Sequence, residues 1–153
     1  MRKWSTIFIL TIALTTLGAI SPSVHFPTAQ AETKDWSQLA EYVDTYAHET
    51  DFLKSSVVAP EIRRLLGKKY KILVRNLDTQ SPLTRSGTVL YMSGNRAHEG
   101  GTSGAYILIE PQTQSLEVGL WEEKKFTAYR SGKTIDKPDD LKRMFEVYQT
   151  PVQ

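Results

Sequence analysis

The hydrophobic period changes from helix-like to strand-like near residue 78, and that switch restricts the fold more than any motif does. Before it, apolar residues recur three and four apart. Leu39, Tyr42, Val43 and Tyr46 predict a helix from Asp35 to His48. Pro60 in a first turn, followed by Ile62, Leu65 and Leu66, predicts a second helix that Gly67 stops, and Tyr70, Leu73, Val74 and Leu77 predict a third. Beyond Leu77 the runs Thr88 to Met92, Ala105 to Ile109, Leu116 to Trp121 and Phe126 to Tyr129 are short and rich in β-branched and aromatic residues. Turn-length polar segments, Pro111 to Gln114 and Glu122 to Lys125, separate successive runs, which favours antiparallel hairpins over parallel crossovers. Pro138, Asp139 and Asp140 then open a last helix through Leu141, Met144 and Phe145, with the acids where a helix N-terminus favours negative charge. Helices grouped before strands give an α+β fold: an antiparallel β-sheet meander with helices packed on one face.

The N-terminus carries a different message. Met1-Arg2-Lys3, an apolar run from Trp4 to Ile20, and Ala29-Gln30-Ala31 together have the form of a cleavable secretory signal, so residues 1–31 are expected to be removed before Glu32. Polar interruptions and Pro22 and Pro27 make the run a poor spanning helix, and no stable membrane anchor is expected after cleavage. What is left, residues 32–153, is enough for a single domain with a real core. Of 19 Lys+Arg, Arg2 and Lys3 belong to the signal, which leaves 17 against 17 Asp+Glu and no electrostatic reason to expect nucleic acid. Arg63, Arg64, Lys68, Lys69, Lys71 and Arg75 crowd one helical region and read as a solvated face. With no cysteine, an exported domain has no disulfide and must be held by its core.

Searching for chemistry returns little. No phosphate-binding glycine loop, no Gly-x-Ser-x-Gly turn and no His-Glu-x-x-His pair occurs, and no metal or cofactor is expected. His48 reads as a helix C-terminal residue with a structural role. Glu122 and Glu123 read as a polar hairpin tip, and Tyr91, Tyr106 and Trp121 as core aromatics before a sugar-stacking platform. The segment Ser93 to Gly104 stands apart: four glycines surround His98 and Glu99 between two strand-like runs, the composition of a surface loop. From the residues alone, His98 is either an ordinary solvated histidine or an imidazole presented to a partner.

Several short motifs follow one another along the chain: Phe52-Leu53, Leu65-Leu66-Gly67 with Tyr70, Asn76-Leu77, Gln80-Ser81-Pro82, Val89-Leu90, Ser93-Gly94, His98, Gly101, Ala105 and Val118-Gly119-Leu120. Their order resembles that of the inhibitors of vertebrate lysozyme, the Ivy family. The resemblance implies a periplasmic, non-enzymatic protein whose loop enters the lysozyme active-site cleft. In that family the loop has the form Cys-Lys-Pro-His-Asp-Cys, and Asn95, Arg96, Ala97, His98, Glu99 and Gly100 stand at the matching places here. The histidine, the following carboxylate and a basic residue are kept; both cysteines and the proline are not, so the bridge and a second stiffening device are missing. The partner so implied is a lysozyme, c-type first, or a lytic transglycosylase, and a homodimer is admitted. A rival reading keeps the fold but has it bind peptidoglycan fragments or an endogenous transglycosylase without inhibiting lysozyme.

Overall fold

Polar contacts made at a distance decide where the first helix ends. In a computed structural model, which describes residues 35–99, 101–123 and 125–149 (side chains of 145 and 147–149 excepted), Trp36–Tyr42 forms only a 3-10 helix, capped by the Asp35 carboxylate on Ser37 N. The signal, its cleavage site and Gly100 lie outside those residues, all of which fall in the compact unit 33–153. The expected helix to His48 does not form: Asp44 turns left-handed at φ 64°, its N–H donates to Leu83 O at 2.8 Å, and Leu83 N–H donates to Thr45 O at 2.9 Å. Those bonds, with Ala47 N–H to Gln80 Oε1 at 3.1 Å, draw the chain away from its own helix and toward the sheet. Apolar spacing alone cannot register such competition.

The remaining helices follow their sequence signals. A short α1 (Phe52–Ser55) precedes α2 (Ala59–Leu66), with Pro60 in its first turn and Gly67 at its end, and α3 (Tyr70–Asn76) follows. The strands are β1 (Thr79–Gln80), β2 (Thr84–Ser86), β3 (Val89–Asn95), β4 (Gly104–Glu110), β5 (Ser115–Glu122) and β6 (Lys125–Ser131), and α4 (Asp139–Gln149) closes the domain. Strands β3 to β6 form the antiparallel meander; β1 and β2 both pair with the free side of β3. Their two and three residues are too short for a periodic signal.

Alternation along the strands divides the core in two. Leu90, Met92, Ile107, Ile109, Val118 and Leu120 face the helices and pack with Phe52, Ile62, Leu66 and Leu73, all buried. Each such side chain contributes about 1.5–3 kcal/mol by leaving water. The opposite face carries Tyr91, Tyr106, Leu108 and Trp121, and there Ile135 and Leu141 cover it. The expectation of helices on one face therefore holds for α1 to α3, whereas α4 takes the other. Both faces being apolar on β4, the sheet needs a second cover, and the amphipathic α4 supplies it.

Tyr106 explains a glycine. It pairs with Gly119 in register, and a Cβ at residue 119 would lie 1.9 Å from the Tyr106 ring. The ring therefore lies flat across β5 and sends its hydroxyl to the buried Glu117 carboxylate.

Candidate functional site

Strand pairing reaches further into the expected loop than its composition implies. Ser93, Gly94 and Asn95 are the end of β3, with Asn95 opposite both Thr79 and Gly104, so the loop proper spans 96–103. Gly94 is buried because β1 crosses it closely: a Cβ there would lie 2.7 Å from Thr79 O. The glycine that suggested a surface loop instead admits a neighbouring strand.

The loop is folded on itself. Arg96 N–H donates to Ser103 O at 3.1 Å, and Thr102 N–H donates to Glu99 O at 3.1 Å, with the Thr102 hydroxyl on the same carbonyl at 2.9 Å. Arg96 Nη1 donates to Glu99 Oε1 at 2.6 Å. Hydrogen bonds from Arg96 and then Ser103 hold the Glu99 carboxyl below the usual glutamate range. Between those paired residues Ala97 is half-buried and His98 is exposed at φ 63°, a left-handed conformation uncommon outside glycine. Among the described residues His98 has no hydrogen-bond or ion-pair partner.

Beneath the loop lies a residue that sequence reasoning did not single out for it. Asn76, the last residue of α3, is fully buried; its Nδ2 donates to Gly104 O at 3.0 Å and Trp121 O at 2.9 Å, and its Oδ1 accepts from Arg96 Nη2 at 3.2 Å. Glu122 adds charge nearby, 4.0 Å from Arg96 and 3.6 Å from Arg75. An asparagine three residues after Leu73, on the buried stripe of its helix, is the signal that marks it.

The other sequence candidates separate cleanly. His48 is not at a helix C-terminus, because that helix ends at Tyr42; it is exposed, with Nδ1 2.9 Å from Gln80 Nε2. Tyr91, Tyr106 and Trp121 are buried as core aromatics. Glu122 ends β5 and Glu123 sits in the turn to β6. All six basic residues of the helical region are exposed; Arg63 donates to Leu53 O and Lys54 O, and Arg64 pairs with Glu61.

A second polar cluster, around Glu117, joins residues far apart in the sequence. Glu117, 1% exposed, bonds Tyr106 and forms ion pairs with Lys137 Nζ at 2.7 Å and Arg130 Nε at 2.5 Å. Burial alone raises its pKa, but Lys137, Tyr106 and Arg130 together outweigh that and hold the carboxyl below its ordinary value. Alternation placed Glu117 on the face of Gly119 and Trp121, and that apolar company was the sign of burial. The cluster ties Lys137, in the segment that leads to α4, to the sheet. Among the described residues no helix is long and apolar enough to cross a membrane, and no group of His, Asp and Glu is arranged to hold a metal.

A family model described as inhibitor of vertebrate lysozyme (Ivy) matches residues 57–150, more than half of the chain and all of the loop. No curated protein and no solved structure matches it.

Proposed function

The chain belongs to the Ivy family, inhibitors of vertebrate lysozyme, and on that premise we propose that it inhibits a c-type lysozyme by placing His98 in the enzyme's active-site cleft. Supporting this is one observation above the others: His98 is exposed and without a partner among the described residues, on a loop whose flanking residues Arg96 and Glu99 are tied to each other and to the domain. A lysozyme presents one carboxylic acid and one carboxylate across its cleft. An imidazole can accept from the first and donate to the second, and so exclude substrate without any reaction of its own. The protein acts as an inhibitor rather than an enzyme. It does so in the periplasm, after export and removal of residues 1–31.

The missing loop cysteines favour a second reading, in which the same fold binds a lytic transglycosylase or peptidoglycan fragments and leaves lysozyme active. Inhibition assays against c-type, goose-type and invertebrate-type lysozymes, run beside one lytic transglycosylase, separate the two. Inhibition of the c-type enzyme is the expected result. Transglycosylase binding with every lysozyme left active would replace the first reading with the second.

A further inference from the structure

A loop that must hold an imidazole in place needs a tie to the domain beneath it, and with no cysteine the tie has to be non-covalent. We propose that Asn76 is a positioning residue for the 96–103 loop, acting through the Arg96 guanidinium, and that Arg96 is an internal strut rather than a group offered to the partner. The proposal rests on reading this loop as the inhibitory one.

Hydrogen-bond chemistry leaves Asn76 one orientation. Its two backbone partners, Gly104 O and Trp121 O, can only accept, so the amide NH2 must face them and Oδ1 must face Arg96. Those two bonds fasten the end of α3 to β4 and β5, and the third reaches the first residue of the loop. Arg96 carries the tie onward through Nη1 to Glu99, the residue after His98. Its side chain is only 20% exposed, and its Nε is buried without a hydrogen-bond partner among the described residues. A guanidinium reaching for a partner would keep its donors in water; this one is drawn inward. Aspartate at 76 could not donate to the two carbonyls, and serine could not span all three partners.

Amide hydrogen exchange on the mature chain, with no lysozyme present, tests the strut. The Arg96 and Thr102 amides report loop closure, and the strand amides of Ile107 and Val118 report the domain. Arg96→Met is expected to speed exchange at 96 and 102 by about tenfold and to leave 107 and 118 unchanged. Asn76→Ala should speed the same two amides, and in the Arg96→Met background should add nothing there beyond any change at 107 and 118. Unchanged exchange at 96 and 102 in Arg96→Met, or full additivity in the double variant, would overturn the proposal. If Asn76→Ala fails to fold, the Arg96→Met comparison still decides it. Inhibition of c-type lysozyme by the same variants is the second readout: Arg96→Met should weaken it by about tenfold, and Arg96→Lys should recover part of the loss. Weaker inhibition with a fully protected loop would mean that Arg96 touches the enzyme, which contradicts the strut. If the parent inhibits no lysozyme, the functional reading fails, while exchange alone still decides the strut.

Discussion

Arg96 grips Glu99 across the turn that carries His98, with Nη1 and Oε1 2.6 Å apart, and the histidine between them is left-handed at φ 63°. The pair closes a turn, with Ala97 and His98 between its ends, around an imidazole that has no internal partner among the described residues. A histidine in that conformation is retained at a cost to stability, as side chains serving a partner often are.

That cost can be measured. Non-glycine residues lose roughly 1–2 kcal/mol in the left-handed region, and glycine's greater freedom when unfolded takes back part of the difference. His98→Gly is therefore expected to match or exceed the parent in stability, by up to about 1 kcal/mol, and to exceed His98→Ala. Denaturant unfolding of the three proteins checks this; a less stable His98→Gly would make His98 a packing residue.

Glu117 is expected to behave oppositely. Breaking a buried ion pair from one side costs about 3–5 kcal/mol, and the half-exposed Arg130 can rehydrate, so Glu117→Gln should cost about 2 kcal/mol. Because the folded carboxyl titrates below its ordinary 4.5, its stabilisation is complete above that value and fades as pH falls through the lower folded pKa. Acid titration of both proteins should show a shallower loss of stability below pH 4.5 in Glu117→Gln; parallel curves would remove Glu117 from the account.

Gly119→Ala tests the Tyr106 contact. The new methyl would strike the ring 1.9 Å away, and moving the ring breaks its bond to Glu117. A loss of about 1–3 kcal/mol in thermal or denaturant unfolding is expected. A neutral outcome would mean that the ring has room the packing does not provide.

A bridge should reveal how much the strut already does. Asn95→Cys with Gly100→Cys, oxidised, closes a six-residue loop worth at most about 2 kcal/mol, or roughly thirtyfold in affinity. With the Arg96 to Glu99 pair present the gain in inhibition should fall short of that, and in Arg96→Met it should come closer. Equal gains in both backgrounds would show that the ion pair does not restrict the loop.

What the sequence made legible follows from where each decision is taken. α2 and α3 were readable because Pro60, Gly67 and the stripe through Leu73 are local. The meander was readable because its strands are long enough to alternate. The first helix stops short of its apolar pattern because Asp44 and Thr45 bond Leu83, a partner no local pattern reveals. Ser93 to Asn95 have the composition of a loop because Gly94 serves a neighbouring strand, and β1 is too short to announce itself. His98 stood out by its glycines and by the family resemblance. For Asn76 and Glu117 the local pattern points to burial but not to the role, because the partners of each come from distant segments.

The central claim is that the imidazole of His98 blocks a lysozyme cleft, and the inhibition constant of the parent against His98→Gly, on one c-type lysozyme, tests it most directly. Truncating a residue at the centre of an interface costs about 2–4 kcal/mol, so the variant should inhibit at least about thirtyfold more weakly while its fold and stability are kept. Equal inhibition by the two proteins would contradict the claim.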